Sequence, residues 1–185
     1  CRSSIMKTEA LERYLNSFGK YVVQQSRTNL TKGKKNVSKD LYNSISFKVI
    51  TDADGFTVQF FMDSYGTFVD KGVSGNKKER TYKNYKGETK VTDYKYTTKG
   101  PPVDILSKWI KKRGIKPKGI ARGRSKITGQ YISGLAYYIS AKIKSQGIKG
   151  ISFFQRPLQL GLETFGKEML GAVKDDIING LTTVK

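Results

Sequence analysis

The sequence predicts an α+β fold: a small antiparallel sheet packed with about four helices, plus a protruding basic β-hairpin arm. Three observations predict it. Apolar residues recur at helical spacing in four separate stretches. They alternate at period two in one central pair of stretches. Between residues 73 and 100 they give way to Lys, Tyr and Thr. With 185 residues, 37% of them apolar, the chain is expected to be one domain spanning 1–185, with 73–100 as an inserted basic arm and 115–128 as a basic loop.

The elements follow in order. Leu11, Leu15, Phe18 and Val22 recur at four, three and four residues, which predicts a helix from Thr8 to about Leu30. Thr8 suits the N-cap, and Glu9 and Glu12 suit the positive end of the helix dipole. Leu41, Ile45, Phe47 and Val49 share one face of a strand running from Leu41 to Ile50. Asp52-Ala53-Asp54-Gly55 is a turn signal, and Phe56, Val58, Phe60 and Met62 alternate in a second, antiparallel strand. Tyr65 to Gly72 fits neither period. In the arm, Tyr82, Tyr85, Tyr94 and Tyr96 lie among lysines and threonines, with Asn84-Tyr85-Lys86-Gly87 as the turn. Pro101-Pro102 opens a helix through Val103, Leu106, Trp109 and Ile110, stopped at Gly114. Ile132, Leu135, Ile139 and Ile143 make the next stripe, ending at Gly147. Ser152-Phe153-Phe154 reads as extended, and Pro157 opens a last helix through Leu158, Leu162, Phe165, Met169, Val173 and Ile177, ended by Gly180. These stripes exceed what one small sheet covers, so another subunit is expected to bury part of each. Cys1–Ile5 precede Met6 and read as an upstream extension or a numbering choice, with a lipid-bearing N-terminal Cys as the alternative.

Composition removes most catalytic chemistry. With no histidine, there is no His-based triad, His general base or usual zinc site. With one cysteine, there is no intramolecular disulfide and no cysteine cluster. No apolar run approaches the roughly 20 residues of a membrane span. Gly161-Leu162-Glu163-Thr164-Phe165-Gly166-Lys167-Glu168 fits the start of a phosphate-binding loop, but Glu168 stands where Ser or Thr is needed, and the segment lies in a helical stripe. Asp52, Asp54, Asp63 and Asp70 form the nearest carboxylate cluster, two of them in a turn where Asp is expected anyway. The expectation is a protein that is not an enzyme, with no cofactor and no metal.

Charge points elsewhere. The chain carries 35 basic and 15 acidic residues, net +20. Residues 71–126 hold 18 basic and 4 acidic residues, so +14 of that excess sits in 56 residues. Such a block suits a polyanion or an acidic protein surface, or is simply a solvated loop. Lysines interleaved with tyrosines can bind phosphates and stack on bases. Trp109, beside Lys108, Lys111, Lys112 and Arg113, reads as a core anchor with a solvated basic face, or as a stacking platform.

Three segments carry more information than any catalytic motif. They are Val37-Ser38-Lys39-Asp40-Leu41-Tyr42-Asn43-Ser44-Ile45; Tyr65-Gly66-Thr67-Phe68-Val69-Asp70-Lys71-Gly72; and Leu135 to Gly147 followed by Phe153-Phe154-Gln155-Arg156-Pro157-Leu158. Trp109-Ile110-Lys111-Lys112-Arg113-Gly114-Ile115 is a fourth. Together, over roughly 8–72 and 101–180, they resemble the head–tail joining (neck, or tail-completion) proteins of tailed double-stranded DNA bacteriophages. The matched positions are Leu41, Ser44, Ile45, Tyr65, Phe68, Asp70, Gly72, Trp109, Phe154, Arg156 and Pro157. The chain departs from the pattern at Asp40, where Gly is usual, at Asp70, where Glu is common, and at Gln155 within the Phe-Leu-Arg-Pro form. The arm has no counterpart.

The resemblance implies a structural virion protein forming a ring at the phage head–tail interface. Such a ring would join the capsid and portal side to the tail and line the DNA passage. Its partners would be further copies of itself and neighbouring portal, connector and tail proteins, with non-specific contact to packaged DNA and no membrane. Its place would be the virion neck, and the host cytoplasm during assembly. The alternative is a sequence-independent nucleic-acid-binding protein. On either reading the contact residues are expected to be Lys77, Lys78, Arg80, Lys83, Lys86, Lys90 and Lys95 in the arm, and Lys116, Lys118, Arg122, Arg124 and Lys126 in the second loop. None of the seven arm residues lies on an apolar stripe, so replacing them with Ser should leave the fold intact.

Overall fold

The computed structural model describes residues 9–35, 39–52, 55–115, 122–124 and 131–182, with backbone alone at 122–124, 131–133 and 175–182. The fold is α+β. The described residues divide into two compact units, one formed from 1–66, 83–88 and 152–185, the other from 67–82 and 89–151.

In the first unit, helix α1 (Glu9–Lys32) forms where the apolar spacing puts it, and Leu15, Phe18, Val22, Val23 and Leu30 are buried. Glu9 and Glu12 lie in its first turn and Lys32 in its last, each at the favourable end of the dipole. The expected N-cap, Thr8, lies outside the described residues, as does Cys1–Ile5.

The strand expected from Leu41 is a correction. The chain instead makes a short helix α2 (Asp40–Ser44) and only then strand β1 (Ser46–Asp52). Leu41 and Ile45 are four apart, which one helical turn and two strand repeats satisfy equally. The turn wins because it buries both, Leu41 at 4% exposure and Ile45 at 0%, and leaves Asn43 in solvent. Lys39, at φ 63°, turns the chain into it.

Strand β2 (Gly55–Phe61) pairs antiparallel with β1, Phe47 opposite Phe60 and Val49 opposite Val58. Residues 53–54 of the expected turn lie outside the described residues. The inward face of this hairpin meets α1 so closely that a Cβ on Gly19 would collide with the Phe47 ring. The last helix, α6 (Gln155–Thr182), starts two residues before Pro157 and runs past Gly180. Phe18, Phe60, Phe154 and Phe165 lock α1, β2 and α6 together through edge-on contacts with centroids 5.4–6.1 Å apart. Phe153 and Pro157 are fully buried. Phe153 sits in a turn ahead of the helix rather than in the extended segment expected.

The segment 65–72 resolves mostly as helix α3 (Gly66–Lys71), and the second unit begins within it, at Thr67. Strand β3 (Gly72–Val73) follows and pairs with β8 (Ile148–Lys149). The arm region contains a hairpin, but a short one: β4 (Thr81–Lys83) with β5 (Thr89–Val91). Its tip, 83–88, belongs to the first unit. Helix α4 (Val103–Lys112) packs on α5 (Gly134–Gln146) through buried Ile110 and Ala136, with Val103, Leu106, Leu135 and Ile139 around them. Two further strands, β6 (Arg122–Arg124) and β7 (Tyr131–Ser133), pair antiparallel. Ile132, expected at the head of the α5 stripe, is therefore in a strand. Among the described residues, four two-stranded ribbons thus stand where one sheet was expected.

Candidate interaction surface

The basic residues fall into distinct structural classes. Lys77, Lys78, Lys83, Lys86, Lys90 and Lys95 are exposed. Arg80 differs: it is half-buried, and its Nε donates to the Gln146 carbonyl at 2.7 Å. Lys116, Lys118 and Lys126 lie outside the described residues, and Arg122 and Arg124 are described by backbone alone, in β6.

Arg80 is held by a clasp around the end of α5. The last carbonyls of a helix have no partner within it. Here Asn76 donates its N–H to the Lys144 carbonyl at 2.9 Å, and Lys77 to that of Ser145 at 3.1 Å. Arg80 takes Gln146, placing its charge at the negative end of the dipole. Its own N–H donates to Ser74 Oγ at 2.9 Å. Gly75 and Gly147 make the closeness possible: a Cβ on Gly75 would strike the Ser145 carbonyl, and one on Gly147, already at φ +69°, the Val73 carbonyl. Replacing all seven arm residues therefore does not treat seven equals. Six are surface charges, and Arg80 holds the clasp.

The hairpin tip is preorganised. Asn84 is 6% exposed. Its Oδ1 accepts the N–H groups of Lys86 and Glu88 at 3.0 and 2.9 Å, and its Nδ2 donates to Glu88 Oε2 at 2.9 Å. The Tyr85 N–H donates to Gln155 Oε1 at 3.0 Å, fixing the tip on the first turn of α6. What this turn presents outward is Tyr85 with the Lys86 ammonium 5.9 Å from its ring centre.

The resemblance positions separate into joints and surface. Leu41, Ile45 and Pro157 are core. The Ser44 hydroxyl donates to the Leu41 carbonyl and accepts the Asp63 N–H, both at 3.0 Å. Asp70 is 3% exposed, and Gly72, at φ +78°, accepts the Thr92 hydroxyl at 2.9 Å. Phe154 packs on Phe60, while Arg156 is exposed. Tyr65 and Phe68 are exposed at 41% and 42%, although Phe68 meets Tyr94 edge-on at 4.6 Å. Burial holds the Tyr65 hydroxyl above its ordinary pKa; the Leu41 backbone opposes this, and the Asp63 and Asp40 carboxylates reinforce it. Trp109 is no core anchor. It is 37% exposed with the Arg113 guanidinium 5.8 Å from its ring, and Ile110 beside it is the buried residue.

The catalytic candidates do not converge. Residues 161–168 are interior helix, so their N–H groups are committed to helix carbonyls and cannot cradle phosphate. Asp52 ends β1, Asp70 is buried in α3, and Asp54 lies outside the described residues. Among the described residues no three His, Cys, Asp or Glu side chains gather. A groove of about 690 Å³ on the first unit is lined by residues including Lys20, Val23, Arg27, Tyr42 and Phe47. Its Arg27 is committed to the Tyr42 and Ile45 carbonyls at 3.0 and 2.9 Å.

Surface the sequence reading missed is apolar. Ile105 is 63% exposed, Tyr138 61% and Leu170 74%. Leu170 was invisible because it falls outside the four-three-four row; the buried line of α6 runs instead through Pro157, Gly161 and Ala172, residues too small to mark a stripe. Among the described residues no helix is long and apolar enough to cross a membrane. No family model, no curated protein and no solved structure matches the chain.

Proposed function

We propose that this chain is a structural subunit of the joint between head and tail of a tailed double-stranded DNA bacteriophage, a non-enzymatic protein that assembles into a ring with copies of itself and with portal, connector or tail neighbours. The observation that carries this reading is surface composition. Exposed apolar side chains on α4, α5 and α6 lie among described basic residues that are largely on the outside. Such surface is suited to burial against other proteins, and a head-to-tail interface closes it into a ring. The phage assignment itself rests on the sequence segments. The basic exterior suits contact with acidic protein faces and with DNA passing through unread. The virion neck is the location, with the host cytoplasm during assembly.

The test is electron microscopy and native mass of the purified protein, alone and with the portal ring of the same phage. Rings, alone or on the portal, support the reading; a chain that stays off the portal at every salt concentration refutes it. The second reading, sequence-independent nucleic-acid binding, is favoured by the +14 excess within 71–126. It requires that the chain bind duplex DNA tightly, with affinity falling steeply as salt rises.

A further inference from the structure

Helix α6 has two apolar lines. The inner one packs within the first unit. The outer one, Leu162, Gly166, Leu170 and Val173, recurs at four, four and three residues and faces solvent, with Leu162, Leu170 and Val173 exposed at 42%, 74% and 37%. At Gly166 a Cβ would meet nothing within 4 Å, so this line has a gap as well as knobs. Glu163 and Lys174 flank it on one side, eleven residues apart.

The order of these residues is its own complement when reversed. A two-fold axis through residue 168, relating two antiparallel helices, places each Leu170 over the Gly166 gap of the other copy. It also sets each Leu162 beside the other Val173, and each Glu163 beside the other Lys174. All three matches fall within one residue of the same centre, about 1.5 Å along a helix. The two flanks lie on the same side of such a pair, so both Glu–Lys contacts form. Knob, gap and charge agree on one partner and one direction.

We propose that the outer line of α6 is a self-association surface, covered by the same line of a second copy running antiparallel. The interface is isologous and closed. It is the form in which the free chain buries this surface, and it does not depend on the ring. Each chain carries +20, so long-range repulsion opposes pairing at low salt; at about 0.15 M salt, screening within about 8 Å removes most of it.

Sedimentation velocity at moderate salt tests the pairing. The expected wild-type species is twice the mass of one chain. Leu170→Asp should raise the dissociation constant at least about 100-fold, with an unchanged far-ultraviolet circular dichroism spectrum because the side chain is outside the core. Glu163→Lys should weaken pairing, and adding Lys174→Glu should restore it, a rescue that does not depend on Leu170→Asp folding. In a Cys1→Ser background, Gly166→Cys mixed with Leu170→Cys should cross-link better than either alone. A wild-type monomer, a Leu170→Asp protein that sediments as wild type, failure of the charge swap to rescue, or cross-linking strongest in Leu170→Cys alone overturns the proposal. Each of those results leaves the ring to be decided on the portal.

Discussion

The two units are held by different physics. The first packs rings: Phe18, Phe60, Phe154 and Phe165 meet edge-on, and Phe153 is fully buried. Of its residues 16 are basic and 11 acidic, net +5. The second has 19 basic and 4 acidic residues, net +15, and only Val73, Ile110 and Ala136 are buried apolar residues among those described. What it has instead is backbone closeness, with the 74–80 clasp holding the end of α5. A segment rich in lysine cannot assemble a broad apolar core, so its fixed points are hydrogen bonds and glycine contacts. The lesson is that a basic segment need not be a loose one.

The comparison predicts where each unit is fragile. The largest effect belongs to the aromatic core: Phe153→Ala should cost about 3–5 kcal/mol in chemical denaturation. A loss below about 1 kcal/mol would mean that Phe153 does not belong to the core that holds the first unit. Next comes the clasp. Gly147→Ala puts a side chain at φ +69° and against the Val73 carbonyl, and should cost about 2–4 kcal/mol. Gly171→Ala is the control in the other unit: with open space around it in α6, the change should stabilise by about 0.5–1 kcal/mol. If the two glycines respond alike, the clasp is not a close contact.

Arg80 gives the next step down. Arg80→Ala should cost about 1.5–3 kcal/mol, because the Gln146 carbonyl loses a charged donor. Lys77→Ser and Lys78→Ser, on either side of the same turn, should each stay within about 0.5 kcal/mol. Equal effects at all three would return Arg80 to the surface charges.

Much of the fold was readable in advance, for a physical reason. The long α1 and the β1–β2 hairpin have one period each and one buried face, so the pattern determines the element. Leu41 and Ile45 show where the pattern fails: a spacing of four serves helix and strand alike, and only the core they enter decides. The clasp was unreadable because it is made of backbone groups and glycines, which leave no hydropathy trace. Arg80 looked like its neighbours for the same reason, since its distinguishing partner is a carbonyl 66 residues away. The outer line of α6 was merged with the inner one, since Leu162 and Val173 read as one stripe with Leu158 and Phe165, and Gly166 leaves a gap where a second stripe would show a large residue.

The smallest effect separates the units by electrostatics. Tyr96 in the second unit and Tyr65 in the first both have hydroxyl pKa values raised above the ordinary 10.0. For Tyr96 the cause is burial alone. For Tyr65, burial is joined by the Asp63 and Asp40 carboxylates, against the Leu41 backbone. Raised acids bind their proton more tightly when folded, so the stability tied to each neutral phenol is complete below its unfolded value and is lost as pH rises through the folded one. Salt distinguishes them, since it screens charges but does not rehydrate a buried hydroxyl. Ultraviolet titration of the Tyr65→Phe and Tyr96→Phe variants, at low salt and at 1 M, reads each phenol by difference. The Tyr65 midpoint should fall with salt and with Asp63→Asn, and the Tyr96 midpoint should stay. A Tyr96 that moves with salt has a charged neighbour, which would mean that the basic unit organises its surface electrostatically as well as through its backbone.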